Sequence, residues 1–358
     1  MKNSNTAPRV EVAQHPGQLS PDAVALLDRS ERRNIECGAK WFALLAKHLF
    51  PENGSWLLLH QDGRCQAVWP VQSGRPAGAM SSYYSALYSP SHSEDVSKLG
   101  LVQLARTLRK GRLKSGVHYF SPMDSESTEF EAMELALRHG GFVTRRYFRF
   151  VNWYLPCRDL TWAQYFGDRK GALRNTVRRM GKKLAADAGM LEVITGGDRL
   201  EAGLVAYEQV YAASWKQAEP YPAFVRELMV LCAQHGWLRL GIAWLGDTAI
   251  AAQFWIVAHG RAEIFKVAYD EAYKAHTAGT LLTAALMEHV LDHDRVSEVD
   301  YLIGDDPYKK TWMSHRRERW GIAAYDPWTI SGLFGLTLHF AGQMKRRWWP
   351  QSQPVVAP

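Results

Sequence analysis

Residues Trp237 to Val290 read WLRLGIAWLGDTAIAAQFWIVAHGRAEIFKVAYDEAYKAHTAGTLLTAALMEHV. Three β-prone runs, Trp237 to Leu245, Thr248 to Ala258 and Ala262 to Tyr269, are separated by Gly246-Asp247 and by His259-Gly260-Arg261. Short turns of this chemistry join antiparallel neighbours, so the three runs form a meander. The last run leads into the small residues Thr277-Ala278-Gly279-Thr280, which open a helix from Thr280 to Asp292. A strand from Glu298 to Ile303 follows, then Gly304-Asp305-Asp306-Pro307-Tyr308-Lys309-Lys310. Pro307 suits the first position of a further helix, with Asp305 or Asp306 as its cap, and that helix runs from Tyr308 onward.

Outward from this stretch, residues 170–184 carry Leu173, Val177, Met180 and Leu184 on one helical stripe. Helices over 199–216 and 223–234 precede the meander. The first half begins with a disordered lead, 1–20, and a helical pattern over 21–49. Trp56 to His60 and Cys65 to Val71 then make a hairpin around Asp62-Gly63. A helix over 95–110, a strand over 117–121, a helix over 130–139 and a β-prone stretch over 142–154 complete it. Residues 55–71, SWLLLHQDGRCQAVWPV, echo residues 236–257, GWLRLGIAWLGDTAIAAQFWIV, in element order. Both read strand, turn, strand after a helical region, with a helix, a short strand and a helix to follow. A repeated order of this kind indicates a duplicated unit. The expectation is an α+β fold of two tandem units, each a mixed, largely antiparallel sheet flanked by helices. The units span 21–157 and 158–325, with a C-terminal helix and tail over 326–358.

Composition bounds the function. The chain has 358 residues, 47% hydrophobic and 22% charged, enough for two domains with apolar cores. Cys37, Cys65, Cys157 and Cys232 are far apart and form no CxxC pair, which argues against a zinc or thiol-redox site and against a disulfide framework. His289 and His293 are spaced like metal ligands on a helix, but no third ligand accompanies them, so no metal is expected. Neither a signal peptide nor a run of roughly 20 apolar residues is present, and a cytoplasmic protein is expected. Of the net charge of +7, much sits between Arg169 and Lys183, with seven basic and no acidic residues, and at Lys345, Arg346 and Arg347. Ile330 to Phe340, followed by that basic run and by Trp348 and Trp349, suits either a docked helix or a peripheral membrane contact.

Residues 237–320 resemble the CelD-like branch of the GNAT acetyltransferases, which is akin to the Fem-type aminoacyl transferases. The likeness is carried by GDTAIAAQFWIV (246–257), FKVAYDEAYKAHTAGTLLTAALMEHV (265–290) and VDYLIGDDPYKKTW (299–312). LTWAQYFGDRKGALRNTVRRMGKKL (160–184) and Ala213-Ser214-Trp215 match more loosely. The resemblance implies two GNAT-like units and transfer of an acyl group from acetyl-CoA or another acyl-CoA to an amine by the second unit. His276, Thr277, Ala278, Gly279 and Thr280 stand where such enzymes cradle the coenzyme A pyrophosphate, in a shortened form of the usual Gly-rich loop. Helix physics agrees, because unpaired amides and the positive dipole end attract anions; ordinary capping by Thr277 is the other reading. Tyr308 and Lys309 would face the acyl group or the acceptor, Lys309 steadying the thioester oxygen or a phosphate. Asp300, Asp305, Asp306 and Tyr269 are the candidates for proton transfer. Lys266 shares a strand with Tyr269 and points only approximately to its side, since their spacing is odd. The resemblance further implies an amino-sugar, nucleotide-sugar or polysaccharide-precursor acceptor. Transfer from aminoacyl-tRNA, and a non-catalytic binding protein on a degenerate GNAT scaffold, are the alternatives.

Overall fold

The computed structural model describes residues 7–338. They build two compact units, one from residues up to Arg149 and again from Arg319, the other from Phe150–Glu318. In the first unit, strand β1 (Arg9–Ala13) leads to helices α1 (Pro21–Glu31) and α2 (Ala39–His48). Strands β2 (Gly54–Gln61), β3 (Arg64–Gln72), β4 (Ala77–Ala79) and β5 (Ser91–His92) follow, then α3 (Lys98–Thr107), β6 (Val117–Met123) and α4 (Thr128–His139). Ser20, Ser97 and Ser127 each accept a backbone N–H at the start of α1, α3 and α4, which fixes where those helices begin. Asp62 and Gly63 both have positive φ, 51° and 76°, as a two-residue turn between twisted strands requires. Strands β1 to β4 pair antiparallel in sequence order, β4 and β6 pair parallel, and residues 320–325 close the sheet antiparallel to β6. Trp56, Trp69, Phe42, Phe120 and Phe130 fill the core.

Strand β7 (Val143–Pro156) carries the chain into the second unit. There follow α5 (Trp162–Gly167), α6 (Gly171–Ala186), β8 (Gly189–Ile194), α7 (Leu200–Ala212), α8 (Pro222–Gln234), β9 (Leu238–Leu245), β10 (Thr248–Ala258) and β11 (Arg261–Tyr269). Helix α9 (Ala278–Glu288), strand β12 (Glu298–Ile303) and the short helix α10 (Lys309–Trp312) complete it, and strand β13 (His315–Tyr325) returns the chain to the first unit. Strands β8 to β11 pair antiparallel in order, β11 and β12 pair parallel, and residues 152–156 of β7 run antiparallel to β12. Every residue of β10 from Ile250 to Ala258 is buried, and both α7 and α9 pack on this strand. The predicted stripe of α6 packs as expected, with Leu173, Val177, Met180 and Leu184 all against the core of this unit.

The two units share one topology. Each has an edge strand, two helices, an antiparallel meander, a helix, a parallel strand and a further helix. Each is closed by an antiparallel strand from the other end of its chain segment: 150–156 in the second unit, 319–325 in the first. The fold is therefore α+β with a mixed sheet flanked by helices.

Several expectations are corrected. The lead over 1–20 contains β1, whose Arg9–Ala13 pairs with His60–Trp56 of β2. The single helix over 21–49 is two, because Asn34 caps a separate turn and Gly38 is extended. The units divide at 149/150 and 318/319 rather than at 157 and 325, since the stretches over 142–154 and 315–325 are strands that pass between them. Helix from Tyr308 onward is confined to Lys309–Trp312; Pro307 lies in the turn before it. Residues 326–338 begin the predicted C-terminal helix, whereas Lys345, Arg346, Arg347, Trp348 and Trp349 lie outside the described residues.

Candidate functional site

Strands β11 and β12 are in register only at Arg261–Glu298, Ala262–Val299 and Glu263–Asp300. Beyond those pairs β11 continues to Tyr269 and β12 to Ile303 without facing each other, so the sheet splits. A bulge helps to part them. Phe254 of β10 faces Lys266 and Trp255 faces Ile264, which leaves Phe265 as an extra residue that bends β11. Ion pairs hold the base of the split. Asp300, almost fully buried, accepts from Asn152, from the Leu302 amide, from Arg261 at 3.0 Å and from Arg317. Burial pushes its carboxyl upward, but Arg261, Arg317 and these hydrogen bonds outweigh burial and hold it below the ordinary aspartate value. Asp300 is thus a fixed anion in a structural cluster, and the structure withdraws it as a candidate base.

A cavity of about 470 Å³ occupies the split. Val267, Ala268 and Tyr269 of β11 line one side, Tyr301 of β12 and Tyr308 another, and Thr277 to Thr280 at the head of α9 a third. Thr277 takes a left-handed φ of 54°, and its side chain caps nothing. The first bonds into the helix run from Thr280 and Leu281 to the Thr277 carbonyl, so the amides of Ala278 and Gly279 have no partner within it. The capping alternative weighed from sequence therefore does not apply to α9. The matching helix of the first unit differs: at α3 the Ser97 hydroxyl takes the Gly100 amide at 3.1 Å. Gln253, buried in β10, holds α9 in place by donating to the Gly279 carbonyl and to Thr283 Oγ1, both at 2.8 Å, while accepting from Trp255 Nε1. Trp215 lies 4.5 Å from Tyr269, ring to ring, and also lines the cavity.

Tyr269, Thr277, Ala278, Gly279, Thr280 and Tyr308, all singled out from sequence, meet at this one cavity. Three others do not line it. His276 sits beside Asp187 at 3.5 Å, and its Nδ1 is buried with no hydrogen-bond partner among the described residues. Asp305 accepts from Trp153 Nε1 at 2.6 Å and pairs with Arg316. Lys309 is 5% exposed, donates to the Ile303 carbonyl, lies 3.4 Å from Asp306 and sits over the face of Tyr301. Its ammonium is spent on the strand end and on the back of a cavity-lining ring. Lys266 and Tyr269 part company: Lys266 is buried against Glu219 at 2.8 Å beside a second cavity of about 310 Å³, to which Glu219 and Lys216 contribute. Among the lining residues that sequence reasoning did not assign to the site are Gln253, Lys274 and Tyr301. Gln253 alone carried a signal, a lone amide inside the apolar run IAAQFWIV.

Tyr308 is 45% exposed, and burial together with Asp306 pushes its phenol up to about 12. It is a neutral hydrogen-bond donor at physiological pH. Among the described residues no group of three or more His, Cys, Asp or Glu side chains is placed to hold a metal ion.

Residues 171–310 match the family model for the acetyltransferase (GNAT) domain. That segment is similar to GNAT acetyltransferase domains. The match supports an acyltransferase, and the split between β11 and β12 and the uncapped head of α9 lie inside the matched segment. No curated protein matches the sequence. Among solved structures, a conserved protein of unknown function from Bacteroides thetaiotaomicron is similar over 84% of this chain and 95% of its own, with a TM-score of 0.59 at 12% identity. FemX is similar over 79% and 94%, with a TM-score of 0.52 at 10% identity. The C-terminal domain of a putative lysylphosphatidylglycerol synthetase from Agrobacterium fabrum is similar over 83% and 90%, with a TM-score of 0.50 at 12% identity. At such identities the likeness is one of fold.

Proposed function

We propose that the GNAT domain transfers an acyl group from acetyl-CoA or another acyl-CoA to an amine, with the donor seated in the split between β11 and β12. The observation that carries this reading is the coincidence of two amides, Ala278 and Gly279, that have no partner among the described residues, with a cavity bounded by a strand edge that β12 leaves uncovered. The helix head suits a diphosphate, since its dipole and amides are worth most where no side chain competes. Lys274 lines the same cavity, and α6, which carries the five basic residues Arg174, Arg178, Arg179, Lys182 and Lys183, packs against α9. The backbone edge of β11 beyond Glu263 offers N–H and C=O groups to the amide-bearing arm of the donor. The thioester supplies the activated carbonyl; the amine attacks it, the C–S bond breaks, the amine's proton passes to solvent and the departing thiolate takes one up. Tyr308 is assigned the donation of that last proton.

The acceptor is an amine of the amino-sugar or polysaccharide-precursor class in this reading, and the neighbouring cavity beside Lys216 and Glu219 is its candidate seat. Trp215 lines the donor cavity and Lys216 the other, so the two adjoin. A cytoplasmic setting is part of the proposal. Calorimetric titration tests the donor. Saturable binding of acetyl-CoA that depends weakly on salt is expected, whereas a failure of acetyl-CoA and longer acyl-CoAs to bind would remove the reading. Tight, steeply salt-dependent binding of aminoacyl-tRNA instead would favour a Fem-type transfer, using the basic face of α6.

A further inference from the structure

The second cavity of the Phe150–Glu318 unit, about 310 Å³, is walled by α7, by the loop that follows it and by α8. That volume is at the small end for ligand cavities and suits one small molecule rather than a chain. Its carboxylates already have cations. Glu219 accepts from Lys266 at 2.8 Å, and Glu208 accepts from Arg226 at 2.8 Å. Arg226 is shared in turn with Glu201 on α7.

Lys216 stands outside this pairing. It is half-buried at the cavity wall, and among the described residues its ammonium makes no hydrogen bond and no ion pair. Its company is aromatic: the ammonium lies 5.6 Å from the centre of the Tyr211 ring and 5.7 Å from that of Trp215. Ring faces attract a cation, but they offer no acceptor to replace lost water. The charged groups that act on Lys216 come from three elements. Lys266 of β11 and Lys309 of α10 repel it, and Glu219 of the loop attracts it. Burial is the largest influence, and together these pull the ammonium down to about 8. At neutral pH Lys216 is therefore still a cation, held in surroundings that are short of negative charge. An acceptor bearing only a protonated amine would be repelled there. An acceptor that also bears an anion would give Lys216 the partner it lacks, as a charge-assisted hydrogen bond in a partly dry site.

We propose that this cavity takes an amino sugar that also carries a carboxylate or a phosphate, and that Lys216 holds the anionic group. The inference rests on the reading of this cavity as the acceptor seat and names the class of acceptor. Calorimetric titration of the full chain tests it without acyl-CoA present, using glucosamine, glucosamine 6-phosphate and glucosaminuronate. At least one anionic probe is expected to bind about tenfold or more tighter than glucosamine, and the preferred one tells phosphate from carboxylate. Lys216→Gln should weaken that probe about tenfold or more, and Lys216→Arg, which keeps the charge, should restore most of the binding. Equal melting temperatures of parent and variants check that the fold is kept. Failure of both anionic probes to bind the parent would overturn the inference, and so would equal binding of glucosamine, neither of which depends on a variant. Unchanged binding by a folded Lys216→Gln would overturn it as well, by assigning the anion to another place such as the head of α9. Acetyl transfer to glucosamine as fast as to its anionic relatives would sink this inference and leave the transfer reading standing. Tight, Lys216-dependent binding of an anionic probe by a protein that does not bind acetyl-CoA would keep the anion site and remove the transfer reading.

Discussion

Tyr308 and Lys309 are adjacent in sequence and do different work. Tyr308 faces the cavity with a phenol that burial and Asp306 keep protonated. Lys309 is turned behind Tyr301, and burial pulls its ammonium below the ordinary lysine value. If Tyr308 returns a proton to the leaving sulfur, Tyr308→Phe should lower kcat by about 10²-fold and leave KM for the acyl donor nearly unchanged. Steady-state kinetics with a fixed amine decide this, and an unaltered kcat would remove Tyr308 from the proton path. That neighbouring residues diverge so sharply could not be read from the string YKK. The short α10 begins at Lys309, not at Pro307, and one residue of helical phase decides which side chain meets the cavity. Similarly, Asp300 looked like a base in VDYLIGDD because its neutralising arginines, Arg261 and Arg317, are distant in sequence.

At the level of elements, the meander and the helix after it were legible. Strands β10 and β12 fall within the expected bounds, because an unbroken apolar run between turn residues has few other solutions. Strand β13 was not legible. HRRERW reads as a polar continuation of the preceding helix, yet in the fold Arg317 closes the ion cluster under the split, and Arg319 is buried near Asp124. A charged residue counts against a buried strand only until its partner is known. The cluster has a measurable consequence. Asp300 titrates below the ordinary aspartate value, so the stability it provides is present above roughly pH 4 and is lost as pH falls through its lower, folded value. Arg317→Met raises that folded value. The acid unfolding limb of the variant should therefore begin at higher pH, with about 3 kcal/mol of stability lost near neutrality. Urea unfolding at a series of pH values checks both, and identical acid limbs would show that Arg317 does not hold the Asp300 charge.

Across the whole molecule, the duplication was visible in the sequence as a repeated order of elements without shared residues. What the sequence hid is how each unit is completed, because the closing strands, 150–156 and 319–325, belong to the opposite ends of their chain segments. Pairing between segments so far apart leaves no local trace. The duplication is also unequal in chemistry. The head of α3 is capped by its own Ser97, whereas the head of α9 leaves its amides to the cavity. That difference supports the second unit as the place of the proposed donor seat.

The donor seat is tested most directly by thermal denaturation with acetyl-CoA, comparing the parent protein with Gly279→Asp. A Cβ at Gly279 meets only Tyr269 Cδ1, at an ordinary 3.6 Å, so the substitution should leave the fold intact while placing a carboxylate at the helix head. With ligand at a hundred times its Kd, the parent gains about 2.7 kcal/mol, which corresponds to a melting temperature roughly 5–10 °C higher for a unit of this size. The account predicts that rise in the parent and its loss in Gly279→Asp, with equal melting temperatures in the absence of ligand. The same rise in both proteins would contradict it.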